Sequence, residues 1–196
     1  ILRINWGEFF HVSQIQEAIA RHPEIRWLWA VHCETSTGIL NDLAMLKDVC
    51  ATNDLLLNLD CISSIGAVAV DLNGVYLAST VSGKGLAAFP GLSMVFHEND
   101  LTPAPAALPR YLDLGYYESN YGIPFTISSN SLYALRAALE RRSVNGHFTR
   151  VVQLAAWLRA EIRTMGLRIV GEDKHLSPAV TTVALPPEPL PYSWRI

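Results

Sequence analysis

RWLWAVHCETSTGILNDLAMLKDVCATNDLLLNLD, residues 26–60, is the stretch whose pattern decides the fold. Between Arg26 and His32 the run Trp27-Leu28-Trp29-Ala30-Val31 is apolar without a break, as in a strand buried in a parallel sheet. From 41 to 52 the apolar spacing turns helical, with Leu43, Leu46, Val49 and Cys50 on one face. Residues 55–59, Leu-Leu-Leu-Asn-Leu, return to strand. Strand, helix, strand is the βαβ rhythm, and it implies an α/β fold with a mostly parallel sheet and flanking helices.

The same reading extends outward. Residues 13–22 are helical in spacing, with Ile15, Ala18 and Ile19 on one face, Ser13 as N-cap and Pro23 as terminator. Further strands are expected at 75–79 and 92–96, then a proline-rich loop at 102–109. Long helices follow at about 130–142 and 147–165, the second closed by Gly166. Short strands at 167–170 and 179–185 come last. The rhythm changes from βαβ to helix–helix–strand–strand, which places a domain switch near 128–150.

Composition narrows the classes. Half of the 196 residues are hydrophobic, enough for a core, and the net charge of −3 offers no basic surface for nucleic acid or an anionic membrane. No apolar run approaches the roughly 18 residues of a membrane span. Residues 1–5 lack the features of a signal peptide. Cys33, Cys50 and Cys61 have no metal-ligand spacing, so a reduced, cytoplasmic protein is expected. The chain has no initiator Met, Ile1 reads as the inside of a strand, and Pro186–Pro191 is proline-rich; a piece of a longer protein is the expectation.

Ligands of open α/β sheets sit at the carboxyl ends of the strands. Three polar segments fall there: His32-Cys33-Glu34-Thr35-Ser36-Thr37-Gly38, Asp60-Cys61-Ile62-Ser63-Ser64-Ile65-Gly66, and Ser79-Thr80-Val81-Ser82-Gly83-Lys84-Gly85. Lys84, one of three lysines, lies between glycines in a largely apolar loop. A lysine held away from water becomes a usable amine nucleophile, the property needed for a Schiff base with an aldehyde cofactor. Taken alone, Lys84 fits a surface-loop lysine better. Asp60 ends an apolar strand, where a carboxylate is costly unless paired. The pyridinium nitrogen of pyridoxal phosphate is such a partner, and a turn or cap aspartate is the alternative. The two residues are 24 apart, which suits adjacent strands of one sheet. Thr80 and Ser82 could bond a phosphate, Thr35 could reach the cofactor's phenolic oxygen, and Ile62 would share the face of Asp60 if that strand continued. Thr35, Thr37, Ser63 and Ser64 serve equally well as capping or turn hydroxyls.

VHCETSTGIL (31–40), Asp60 with ISSIG (62–66) and SGKGLAAFPGLSMV (82–95) together resemble the class V, fold-type I pyridoxal-phosphate aminotransferases. The likeness is to the 2-aminoethylphosphonate–pyruvate, alanine–glyoxylate and serine–glyoxylate transaminases, over about residues 6–185. VHCETSTGIL is most similar to the 2-aminoethylphosphonate branch. The resemblance implies that Lys84 is the Schiff-base lysine and general base, Asp60 the pyridinium partner, Thr35 a contact at the cofactor edge, Ser82 a phosphate contact and Ile62 the residue under the ring. It implies supporting places for His32 and Glu34, and it touches Tyr121 and Gly122 within YYESNYGIPFT (116–126). Residues 1–128 would then be part of the large domain, and 129–196 the linking helices and the start of a small α+β domain. A family glycine-rich phosphate turn and ring-stacking aromatic have no counterpart here, and Arg195 falls too early for the substrate-carboxylate arginine. An amino donor, a 2-oxo acid and a homodimer are implied partners. A lyase of the same class and a non-catalytic remnant remain the alternatives.

Overall fold

The computed structural model describes residues 1–142 and 146–185. Pro186–Pro191 and Arg195 lie outside them. The elements run α1 (Val12–Arg21), β1 (Trp27–Val31), α2 (Leu43–Thr52), β2 (Leu56–Asp60), β3 (Leu77–Val81), β4 (Ser93–His97), α3 (Leu114–Glu118), α4 (Ser129–Arg142), α5 (His147–Thr164), β5 (Arg168–Ile169) and β6 (Val183–Ala184). The four longer strands form one sheet in the order β1-β2-β3-β4. β1, β2 and β3 are parallel, with Val31 beside Asp60 and Asp60 beside Ser79. β4 runs antiparallel along β3. The α/β architecture with a mainly parallel sheet is therefore present.

Alternation explains what each strand buries. Leu57 and Leu59 of β2, Ala30 of β1 and Ala78 of β3 join Leu46, Val49 and Cys50 of α2 and Ile15 of α1 in the main core. The opposite face carries Trp27, Trp29, Leu56, Asn58 and Asp60. Trp27 is 50% and Trp29 71% exposed. The apolar run at 27–31 thus buries one side only, because no described helix layer covers the other. Asn58, 2% exposed on that second face, has a side-chain oxygen without a hydrogen-bond partner among the described residues.

Several local expectations change. Residues 1–5 form no strand, and Ile1 is fully exposed. α1 starts at Val12, with the His11 N–H donating to the Gln14 side chain at 3.3 Å, so Ser13 lies inside the first turn. α2 is capped by Asp42, whose carboxylate accepts from the Met45 N–H at 3.1 Å. The five-residue α3 was hidden by the proline-rich segment before it; its signal is Asp113, which accepts from both Tyr116 N–H and Ala104 N–H. Gly166 follows α5 with φ +75°, the left-handed closure expected of glycine.

The segment after α5 packs onto the loop that follows β1. The Leu40 N–H donates to the His175 carbonyl and the Ser177 N–H to the Gly38 carbonyl, both at 2.7 Å. Thr182 Oγ1 donates to the Ser36 carbonyl at 3.0 Å. Ile39 inserts between Ile169 and Leu176 in a second, smaller core. Arg159 of α5, itself buried, donates to the carbonyls of Ser177 and Val180 and to the Thr181 hydroxyl.

Candidate active site at the strand ends

The parallel register brings the ends of β1, β2 and β3 to one edge of the sheet. The loop after β1 folds back on itself: Glu34 N–H donates to the Ile39 carbonyl and Gly38 N–H to the Glu34 carbonyl, both at 2.8 Å. The Glu34 carboxylate accepts from the Ser36 N–H, so it shapes the loop. Thr35 stands exposed at its tip.

β2 stops at Asp60. Asp60 Oδ1 accepts from the Ile62 N–H at 2.8 Å, an Asx turn that ends the strand. Ile62 therefore lies in a turn, half-buried, and the strand alternation that would have set it on the face of Asp60 does not reach it. The other carboxylate oxygen of Asp60 accepts no hydrogen bond from the described residues. Asp60 is thus a turn aspartate and also an open acceptor. The turn delivers Ser63, 6% exposed, whose Oγ lies 2.5 Å from Thr35 Oγ1. Ser64, beside it, meets His32 Nδ1 at 2.9 Å. Burial pushes the His32 imidazole down to about 4.

The loop after β3 carries Lys84, whose Nζ donates to Ser63 Oγ at 3.4 Å. Both flanking glycines are needed for this approach. A Cβ on Gly85 would stand 2.3 Å from the Ile65 carbonyl oxygen, and one on Gly83 2.8 Å from Pro90 Cβ. Lys84 is exposed here, contrary to a lysine sheltered by an apolar loop. The apolar side chains after it divide, with Leu86 turned inward and Phe89 outward.

Ser82 and Thr80 point inward. Ser82 Oγ donates to the Phe89 carbonyl at 2.7 Å and accepts from the Leu92 N–H at 3.2 Å, pinning both ends of the Lys84 loop. Thr80 Oγ1 donates to the Cys61 carbonyl at 3.4 Å. Both side chains are buried. Contact with a phosphate would require breaking these bonds. Tyr121 is almost fully exposed at φ +55°, followed by Gly122 at φ +78°.

The edge thus gathers Lys84, Asp60, Thr35 and Ser63. Buried Cys33 senses both charges: burial raises its thiol first, the Ser177 hydrogen bond lowers it, Glu34 and Asp60 raise it and Lys84 lowers it. An amine, an open carboxylate oxygen and an exposed hydroxyl on three neighbouring strand ends form a donor set that fits an aldehyde cofactor with a basic ring nitrogen. Ser63 is the member that sequence reasoning left among turn hydroxyls. Its only signal was its position three residues past Asp60, and that becomes a contact only once the strands pair.

No family model matches the chain. It is similar to the small subunit of a soluble hydrogenase from Synechococcus sp. (strain PCC 6716), 33% identical over 193 residues, which cover 91% of this chain and 50% of that one. It is similar to an uncharacterized aminotransferase of Methanocaldococcus jannaschii, 30% identical over 94% of this chain and 51% of the relative. A 2-aminoethylphosphonate–pyruvate transaminase of Paraburkholderia phymatum is 32% identical over 68% of this chain and 38% of its own length. The crystal structure of an alanine–glyoxylate aminotransferase from Nostoc sp. superposes with a TM-score of 0.79 at 29% identity, covering 94% of this chain and 52% of that chain. The aminotransferases among these homologues and structural neighbours are class V, fold-type I pyridoxal-phosphate-dependent enzymes. This chain shares their α/β fold with a mainly parallel sheet and flanking helices. It spans about half the length of the curated relatives it matches.

Proposed function

We propose that the chain carries the cofactor-binding centre of an aminotransferase. Its reaction would move an amino group from a small amino acid or aminophosphonate to a 2-oxo acid such as pyruvate or glyoxylate. The convergence of Lys84, Asp60 and Thr35 on adjacent strand ends carries this reading. A lysine amine and an open strand-end carboxylate on one sheet edge support amino-group chemistry rather than the hydrogen chemistry named in the Synechococcus relative. Residues 1–128 would serve as part of the large domain, and 129–196 as the linking helices and first part of a small domain. The assembly would be a homodimer.

Pyridoxal phosphate, when bound, supplies an electron sink for charge developing at the substrate's α-carbon. Lys84 Nζ would be the amine that holds the cofactor through its aldehyde, and as a free amine it would take and return the substrate's α-proton. The open oxygen of Asp60 would hold the ring nitrogen protonated, while its other oxygen keeps the turn at Ile62 closed. Thr35 would donate its hydroxyl to an oxygen at the cofactor edge. Cys33, 2% exposed and raised by burial, is held as an inert thiol beside this edge.

Incubation with pyridoxal phosphate, borohydride reduction and peptide mapping test the reading. A reduced adduct on Lys84, lost in Lys84→Ala, is expected. An adduct distributed over Lys47 and Lys174, or a cofactor absorbance band unchanged in Lys84→Ala, would overturn it.

A further inference from the structure

Ser63 belongs to no role assigned so far, yet it is the centre of the strand-end contacts. Its Oγ lies 2.5 Å from Thr35 Oγ1 and 3.4 Å from Lys84 Nζ, so it joins the loops after β1, β2 and β3. Burial fixes the direction of these bonds. An ammonium only donates, so Ser63 Oγ accepts from Lys84. The Ser63 hydroxyl proton, in a residue 6% exposed, needs an acceptor, and Thr35 Oγ1 is the one it has among the described residues. Thr35 is exposed, and its own proton is then free to point outward. The order is Lys84 to Ser63 to Thr35, with Thr35 as a donor facing the site.

We infer that Ser63 is a positioning residue. It holds the free Lys84 amine at the strand edge, and it makes Thr35 a donor toward an anionic oxygen of the cofactor. The inference rests on Lys84 being the cofactor-binding lysine. The Asp60 turn is what presents Ser63, because the Ile62 N–H bond to Asp60 Oδ1 sets the chain direction just before it. The backbone there is anchored independently of the Ser63 side chain, with the Ser64 and Ile65 N–H groups donating to the Cys61 carbonyl and His147 Nε2 within 3.0 Å of the Gly66 carbonyl. Ser63→Ala therefore removes the bridge and leaves the loop's own bonds in place.

The test compares wild type, Ser63→Ala and the hydroxyl-retaining Ser63→Thr. Lysine labelled with carbon-13 at Cε yields one signal for each of Lys47, Lys84 and Lys174, and its relaxation reports side-chain order without cofactor. In Ser63→Ala the Lys84 signal is expected to lose its order, with the ion-paired Lys47 and Lys174 unchanged. Ser63→Thr restores it. At limiting pyridoxal phosphate, the borohydride-trapped yield on Lys84 falls about 3- to 10-fold in Ser63→Ala, as for one lost hydrogen bond, and returns in Ser63→Thr. Lys84 order and trapping equal to wild type in Ser63→Ala would overturn the role of Ser63. If wild type traps nothing, the cofactor reading fails, and the relaxation measurement still decides whether Ser63 holds Lys84. A Ser63→Ala protein in which the Lys47 signal also changes is misfolded; Ser63→Thr then decides, since loss of Lys84 order there with Lys47 intact overturns the inference.

Discussion

His32 shows at the scale of one residue how the strand ends are stabilised. It is 5% exposed, and its Nδ1 meets Ser64 Oγ at 2.9 Å. Burial lowers its folded-state value to about 4 from an ordinary 6.5. A depressed value means that the unfolded chain binds the proton first. The stability it contributes is therefore complete above pH 6.5 and is lost as pH falls toward 4. The expected loss across that window is of order 1–3 kcal/mol. Denaturant midpoints at pH 7, 5 and 4 check this against His32→Asn, whose amide can keep the Ser64 contact without titrating near neutrality. Equal slopes in the two proteins would remove His32 as the source. His32 was legible in the sequence as a strand-end histidine with a supporting place. Its partner Ser64 was not, because the bond joins residues 32 apart through strand pairing.

Among the elements, the loop after β3 is the most demanding. Ser82 pins its two ends, Ala87 adopts φ +54°, and Gly85 passes close under the loop after β2. A methyl at Gly85 would meet backbone, the Ile65 carbonyl at 2.3 Å, and backbone cannot swing away as a side chain can. Gly85→Ala is expected to cost about 1–3 kcal/mol by overpacking, read as a lowered denaturant midpoint. It would also reduce trapping of pyridoxal phosphate on Lys84, because the displaced loop carries that residue. A Gly85→Ala protein as stable as wild type with full trapping would refute this account. The four strands of the main sheet and the long helices were readable from periodicity within one or two residues, whereas the last strand, expected over 179–185, is only Val183–Ala184. The functions of Ser82 and Thr80 were not, since a hydroxyl in a glycine-rich segment looks the same whether it faces a ligand or a buried carbonyl.

Over the whole molecule, the sheet has a helix layer on one side, while large apolar side chains on the other stand exposed among the described residues. Trp27, Trp29, Leu56 and Val95 are exposed together with Tyr121, Tyr133 and Trp157 elsewhere. Exposed apolar area of this extent favours association, and the proposed aminotransferase reading implies a two-fold homodimer. Light scattering at about 50 µM is expected to give a mass above that of one 21.7 kDa chain. A clean monomer would set the homodimer aside. No described helix is long and apolar enough to cross a membrane. Sequence alone determined the βαβ order, the strand ends and the candidates Lys84 and Asp60, because apolar periodicity and strand-terminal polarity are local properties of the chain. Only the tertiary structure decided that Ser63 joins Thr35 to Lys84, that Thr80 and Ser82 turn inward, and that Arg159 ties the last segment together. Those facts depend on contacts between residues far apart in sequence, which register and burial create and spacing does not encode.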